Sequence, residues 1–181
     1  MKQNIEIGGR ECLLYKKGEE PQVLLIQTLG AQERGSIDSE VAMISEASGT
    51  SFVMAAFAIG DWEVELTPWH DPAVSKRQAV GEHAGETLRY VTDTLIPYLH
   101  QEYGEIPIVL GGYSLGDREE HTRDKAIAQV GNNIRWEYEH LKQTLGPDST
   151  TLEWNPGNHF VDGARRTAKG FSWCIDKVCQ R

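Results

Sequence analysis

The feature that most constrains this chain is a short apolar run ending in a glycine-bracketed serine, Pro-Ile-Val-Leu-Gly-Gly-Tyr-Ser-Leu-Gly at 107–116. Residues 108–110 are β-branched or apolar and predict a buried strand. Residues 112–116 fit G-x-S-x-G, a nucleophile elbow, in which the serine stands on a strained turn from strand to helix. Glycine is needed on both sides because a Cβ there would collide with the strand or the helix. The pattern predicts an exposed Ser114 hydroxyl and makes the Leu115 N–H a candidate oxyanion donor.

Apolar runs and helical periodicity alternate along the rest of the chain, which predicts an α/β fold: a three-layer α/β/α sandwich with a mainly parallel sheet. Continuous apolar runs at 23–26 and 52–59 are typical of parallel strands buried on both faces. The expected order of parallel strands is 52–59, 22–28, 107–113, 150–154. We expect one domain over 1–181, with residues 1–20 as a β-ribbon added at the sheet edge.

Four helices are predicted from the same periodicity, at 36–47, 75–103, 118–145 and 162–178. In the second helix one stripe should face the sheet, formed by Val80, Ala84, Leu88, Val91, Leu95 and Leu99. Pro97 should kink or end that helix. The third helix is expected to cover one face of the sheet. If it instead extends away, we expect the chain to complete its fold as a homo-oligomer or by a domain swap.

Composition limits the partners of the chain. The net charge of −9 argues against nucleic acid and anionic membranes, which select basic surfaces. No apolar run approaches the ~20 residues of a membrane span, and the first residues lack the apolar core of a secretory signal. Three cysteines without metal-ligand spacing indicate reduced thiols, so we expect a cytoplasmic protein without a metal or cofactor.

Histidine supplies the base that a serine nucleophile needs. His159 is the best candidate, because it follows the predicted last strand in a Pro-Gly-Asn loop, and ligands bind at the carboxyl ends of strands in open α/β sheets. Only His70 and His121 compete with it. Trp62 and Trp69, in the long loop 60–72, suggest an apolar pocket for an acyl or alcohol group, although core packing would explain them nearly as well.

Four segments together resemble bacterial esterases of the α/β-hydrolase fold: Gly-Gly-Tyr-Ser-Leu-Gly at 111–116, Gly-Asp-Trp at 60–62 with Leu-Thr-Pro-Trp at 66–69, Leu-Gly-Asp-Arg-Glu-Glu at 115–120, and Glu-Trp-Asn-Pro-Gly-Asn-His-Phe at 153–160. The resemblance implies that Ser114 is the nucleophile and His159 the base. It also implies an acid at Glu119, with Asp117 and Glu120 as alternates. The second oxyanion donor would be the backbone N–H of Thr28 or Leu29.

The sequence departs from that family between nucleophile and acid. The elbow and the acid loop should belong to different strands, and one βαβ unit alone needs about 30 residues. Here Gly116 both closes G-x-S-x-G and opens Gly-Asp-Arg-Glu. An internal deletion, natural or engineered, would explain this, as would a segment missing from the sequence as given.

Three functions follow from these patterns. The first is a serine hydrolase acting on a small ester, weakened or inactivated by the missing segment. The second is a non-catalytic α/β domain that retains a relic elbow. The third is a flavodoxin-like phosphate binder, which the acidic residues after Gly116 and the lack of a P-loop lysine disfavour.

Overall fold

A computed structural model describes residues 1–30, 33–66, 83–112, 125–156 and 161–179 of the chain. The described strands form one five-stranded sheet of order β1-β2-β4-β3-β5. The strands are β1 (Lys2–Ile7), β2 (Arg10–Lys17), β3 (Val23–Leu29), β4 (Phe52–Ala58) and β5 (Ile108–Gly111). The longer helices are α1 (Ile37–Ala47), α3 (Ala84–Tyr90), α4 (Ile96–Tyr103), α5 (Lys125–Leu145) and α6 (Gly163–Cys179), and α2 (Trp62–Glu65) is a single turn.

The sheet is parallel where it was predicted to be. β3 lies between β4 and β5 and pairs in parallel with both. The ribbon of β1 and β2 is antiparallel and joins the sheet by pairing β2 with β4. These observations confirm the α/β class, the order of the three parallel strands and the ribbon at the sheet edge.

The prediction of a last strand at 150–154 is wrong. Thr150 is extended but follows a 3₁₀ turn at Pro147–Ser149, and residues 150–154 pair with no strand in the described part of the chain. The segment is held by α6 instead: Lys169 pairs with Glu153, and the Arg166 guanidinium donates to the Pro156 carbonyl at 2.7 Å. Contacts with a helix therefore hold this segment, and it does not pair with a described strand.

Helices cover both faces of the sheet, as a three-layer sandwich requires. On one face, α1 and α6 bury Ile37, Ile44, Phe171 and Ile175 against alternate residues of the strands. On the other face, the helix that contains α3 and α4 buries its own set, Tyr90, Val91, Leu95 and Leu99. Residues along β3 alternate between the two clusters, which is the pattern of a strand buried on both faces.

The helix across the second face contains a π-helical turn at Val91–Leu95, between α3 and α4. The Ile96 N–H donates to the Val91 carbonyl five residues earlier. This wider turn accommodates Pro97, which lacks an N–H and would clash with the carbonyl four residues before it in an α-helix. The helix therefore continues past Pro97. The prediction that it ends or kinks there did not anticipate the π turn.

The π turn also explains why the predicted inner stripe is wrong at Leu88. Leu88 is 61% exposed, whereas Thr87 is only 6% exposed and Tyr90 only 9%. A π turn inserts about one residue relative to an α-helix, which rotates the preceding segment by about 100°. Thr87 and Tyr90 therefore face the sheet in the place where regular periodicity puts Leu88.

The third predicted helix, observed as α5, was expected to cover one face of the sheet. Residues 131–145, the part of α5 whose side chains are described, do not do so. Neither core cluster contains one of these side chains. Gly131 is buried near Trp154, and the Arg135 guanidinium lies 5.0 Å from the centre of the Trp154 ring. Trp136 and Leu145 are exposed. This part of α5 packs on the segment after it rather than on the sheet.

Gly111, the last residue of β5, packs directly against Phe171 of α6. A Cβ at this position would overlap the Phe171 ring, with Cε2 at 2.7 Å and Cε1 at 2.9 Å. Phe171 is buried and cannot move aside. We expect Gly111→Ala to destabilise the fold by about 1–3 kcal/mol, lowering the melting temperature by roughly 3–10 °C. Gly49→Ala is the matched control, because Gly49 is exposed and no described atom lies within 4 Å of its added Cβ. Equal melting temperatures for the two variants would contradict this packing.

Candidate active site

The candidate site lies where the three parallel strands end. Because β3, β4 and β5 run in the same direction, Leu29, Ala58 and Gly111 all end at one edge of the sheet. Gln27 pairs with Gly111 at this edge and is buried. Open α/β sheets bind ligands at this edge. Ser114 follows Gly112 by two positions in the sequence, so the chain leads to the serine from the expected place.

Thr28 and Leu29 are the two candidate oxyanion donors in the described part of the chain. In a parallel strand the N–H and C=O of one residue point to the same neighbour, and the direction alternates along the strand. Leu24 donates to the Pro107 carbonyl at 2.8 Å, whereas the Leu29 carbonyl accepts from Ile59 at 3.2 Å. Thr28 therefore points towards β5 and Leu29 towards β4. Of the two, Thr28 faces the strand that leads to Ser114 in the sequence, but its N–H would have to leave the sheet ladder to donate to an oxyanion.

The turn after β4 is held by a partly buried ion pair. The Glu65 carboxylate accepts from the Gly60 N–H at 2.6 Å and the Asp61 N–H at 3.1 Å. Arg10 Nη1 lies 2.6 Å from the same carboxylate, and its guanidinium is 5.0 Å from the centre of the Tyr90 ring. Burial acts to raise the pKa of Glu65, but these hydrogen bonds and the arginine outweigh it and leave that pKa below its ordinary value. The carboxylate thus stays charged and fixes the turn.

This turn positions Trp62, the one of the two predicted pocket tryptophans that the structure describes. Trp62 begins the short helix α2 and is 40% exposed. A half-exposed indole beside the carboxyl ends of the strands can contact a ligand, which a fully buried one cannot.

One helix, α6, supports both chain segments that lead to the predicted catalytic residues. Phe171 packs on Gly111, three residues before Ser114 in the sequence. Arg166 holds the Pro156 carbonyl at 2.7 Å, and Pro156 is three residues before His159 in the sequence. Arg166 and Phe171 are about 7.5 Å apart along the helix axis. The two segments are therefore anchored within about one and a half turns of one helix.

The remaining predicted site residues lie outside the described ranges. These are Ser114, Leu115, Asp117, Glu119, Glu120, His159 and Trp69. The described residues contain no group of three or more histidine, cysteine, aspartate or glutamate side chains that could hold a metal ion. Among the helices they form, none is both long and apolar enough to cross a membrane.

Sequence reasoning missed the supporting residues around this site. Arg10 and Glu65 are 55 residues apart in sequence, and no local pattern connects them. Phe171 lies in the helix predicted at 162–178, but its packing partner Gly111 was not predicted. A second glycine directly before G-x-S-x-G was the available signal, since close packing against a neighbour is a frequent reason for glycine in a strand.

Solved structures with similar folds give this arrangement a context. One is an IroE-like serine hydrolase from Shewanella oneidensis, with a TM-score of 0.55 and 12% identity over 99% of this chain and 70% of that chain. Another is an uncharacterised protein from Capnocytophaga ochracea, with a TM-score of 0.53 and 10% identity over 98% of this chain and 63% of that chain. No protein family model matches the sequence, and no curated protein sequence matches it.

These likenesses establish the fold. The chain has an α/β-hydrolase-like fold, and its described strands form a mixed five-stranded sheet. It shares that fold with a serine hydrolase of known structure. It spans 70% of the length of that hydrolase and 63% of the length of the Capnocytophaga ochracea protein.

Proposed function

We propose that this protein is a serine hydrolase of esterase type that acts on a small-molecule ester, with activity reduced by a missing internal segment. The observation that carries the proposal is the common support by α6 of the strand leading to Ser114 and the segment leading to His159. A nucleophile and its base must be within hydrogen-bond reach, about 2.6–3.2 Å. Arg166 and Phe171 leave the helix about 140° apart, so anchoring both segments on α6 fixes their positions relative to each other.

The proposed reaction is acyl transfer through Ser114. His159 accepts the hydroxyl proton as the serine oxygen attacks the ester carbonyl, and the resulting oxyanion receives a hydrogen bond from the Leu115 N–H, with Thr28 or Leu29 as second donor. The imidazolium then donates its proton to the leaving alcohol. Water, activated by the same histidine, releases the acid and restores the serine.

Glu119 is the proposed acid that orients His159, with Asp117 and Glu120 as alternates. Trp62 and Trp69 are the proposed contacts for the apolar part of the ester. The exposed indole of Trp62 near the carboxyl ends of the strands supports its share of this role. No cofactor is required for this chemistry.

The missing segment is part of the proposal. This chain aligns over 99% of its length with a hydrolase of which it covers only 70%. We place the missing length inside the chain because the elbow and the acid loop share Gly116 in the sequence. Such a loss would leave β5 as an outer strand, as it is among the described strands. It would also bring Asp117, Glu119 and Glu120 directly after the elbow, where their carboxylates would oppose the developing negative charge on the substrate.

A covalent probe tests the activated serine without choosing a substrate. An alkyl fluorophosphonate loses fluoride to a serine oxygen whose proton a neighbouring base removes, whereas ordinary serines do not react. We expect one adduct per chain, on the tryptic peptide that ends at Arg118, in which Ser114 is the only serine.

The histidine and the folded state provide the controls for this labelling. His159→Ala should remove the adduct, and His140→Ala, on the exposed surface of α5, should leave it unchanged. Urea-unfolded protein should not react. An adduct on another serine, or labelling that survives unfolding, would argue for a non-catalytic domain.

A further inference from the structure

One side chain of the N-terminal ribbon, that of Arg10, reaches the carboxyl edge of the sheet. Arg10 begins β2, the ribbon strand that pairs with β4. Its Nη1 donates to the Ala58 carbonyl, at the end of β4, at 3.3 Å and to the Glu65 carboxylate, at the end of α2, at 2.6 Å. A single guanidinium therefore joins the two ends of the segment 59–64.

The Glu65 carboxylate closes the same segment from the other side. One of its oxygens, Oε1, accepts from the Gly60 and Asp61 N–H groups, and the other, Oε2, accepts from Arg10. The two backbone amides directly before Trp62 are thus fixed by the carboxylate that Arg10 holds. Breaking the contact with Arg10 would leave this carboxylate free to rotate away from both amides.

The guanidinium itself has little freedom to move. The Arg10 side chain is only 24% exposed, and its guanidinium lies 5.0 Å from the centre of the Tyr90 ring. Tyr90 is buried, and its hydroxyl donates to the Ile7 carbonyl at 3.1 Å. A planar guanidinium that stacks on an aromatic ring loses less freedom for each hydrogen bond than a lysine ammonium would. The ring therefore keeps Arg10 in the arrangement that closes the segment 59–64.

The segment held in this way carries Trp62, whose indole is 40% exposed. It follows β4 at the edge where open α/β sheets bind ligands. A side chain that contacts a ligand contributes more to binding when its backbone is already fixed, because less freedom is lost on binding. The contacts of Arg10 and Glu65 provide this fixed backbone.

We propose that Arg10 and Glu65 are positioning residues that give the protein a preference for esters with a long apolar chain, by holding the Trp62 indole where that chain binds. The inference rests on the proposed hydrolase function. A fixed indole contacts the chain directly, whereas an indole on a loose segment must first be ordered, which offsets the gain from burying the chain. A short chain does not reach the indole, so its reaction should not depend on Arg10.

Two covalent probes of different length test the inference. Ethyl and octyl fluorophosphonates with the same alkoxy group form the same bond to a serine oxygen, each with loss of fluoride. The ratio of their labelling rate constants, octyl over ethyl, therefore measures the chain preference. Arg10→Met and Glu65→Gln, which remove the charges but keep side chains of similar length, should each lower this ratio about tenfold, as one methylene can in an apolar pocket.

Three more variants show whether Arg10 acts through Trp62. Trp62→Ala should lower the ratio at least as much as Arg10→Met, and the double variant should lower it no further than Trp62→Ala alone. Lys2→Met is the matched control, because it removes an ion pair of the same ribbon, to Asp38 of α1 at 2.8 Å, and it should keep the parent ratio. Partial unfolding lowers labelling by both probes equally, so a loss of stability would not change the ratio.

The contrary results separate the inference from the proposed function. A parent without preference for the octyl probe, an unchanged ratio for Arg10→Met, an equal loss for Lys2→Met or additive losses in the double variant would overturn the positioning role alone. A parent that forms no adduct at Ser114 would overturn the proposed function, and this inference with it. Hydrogen exchange needs no probe: the Gly60 and Asp61 amides should exchange faster in the Arg10→Met variant, and unchanged exchange would also overturn the positioning role.

Discussion

Replacement of Ser114 by alanine is expected to reduce hydrolysis of a short-chain p-nitrophenyl ester to the rate without enzyme. The reason is that alanine has no oxygen to attack the carbonyl or to form the acyl-enzyme. The free energy of unfolding should change by only about 0.5 kcal/mol, because an exposed hydroxyl makes few contacts that the fold needs. The measurements are kcat/KM for one activated ester and urea unfolding of the same preparations.

Ser39→Ala provides the comparison for this variant. Ser39 is an exposed serine on α1, so this change removes a hydroxyl without touching the strand ends of the sheet. It should hydrolyse the ester like the parent protein. Equal turnover by the Ser114→Ala variant would mean that another group, or a contaminant, is the catalyst, and the proposed function would then be wrong.

Replacement of Asp117 by glycine is expected to raise kcat/KM by up to about a hundredfold. A carboxylate about 5 Å from the oxyanion opposes it by about 3 kcal/mol at an effective dielectric near 20. That is close to the ~3–4 kcal/mol that one good oxyanion donor contributes, so the carboxylate would cancel the Leu115 N–H. The sequence also predicts Asp117 as the N-cap of the helix expected from 118; glycine is itself an acceptable cap, so the loss of stability should be roughly 0.5 kcal/mol. The measurement is kcat/KM with one activated ester.

Glu119→Gln separates the two effects that a neighbouring carboxylate can have. If Glu119 orients His159, the variant should be slower than the parent; if Glu119 only repels the oxyanion, the variant should be faster. An Asp117→Gly protein that is folded by circular dichroism but no faster would contradict the electrostatic explanation. The lost strands, and the geometry they supplied, would then account for weak activity.

The strands at the centre of the sheet could be predicted from sequence because their burial is two-sided. β3 and β4 are continuously apolar, and no other element of a small α/β domain needs that pattern. The segment 150–154 shows the limit of this reasoning. Its alternate residues Leu152 and Trp154 are half-buried, but Lys169 of α6 and Arg135 of α5 contact the segment in place of a neighbouring strand. Alternation reports which side chains are covered and does not identify the covering element.

The supports of the candidate site could not be predicted for a related reason. The pairing of Arg10 with Glu65 and the packing of Phe171 on Gly111 join residues far apart in the sequence. Such contacts depend on how elements are placed in space, which periodicity does not determine. The elbow could be predicted from sequence because a strained turn restricts residue type at neighbouring positions, and it stays a prediction because residues 113–116 lie outside the described ranges.

The π turn at Val91–Leu95 has a consequence for comparing this chain with others. The residues before it and after it face the sheet only because one extra residue separates them. A relative with an unbroken α-helix here would be one residue shorter, and a correct alignment must place that gap within 91–95. An ungapped alignment would match Leu88, which faces solvent, with a core position of the relative. The core residues Thr87 and Tyr90 would then look variable, and a buried part of the fold would be mistaken for its surface.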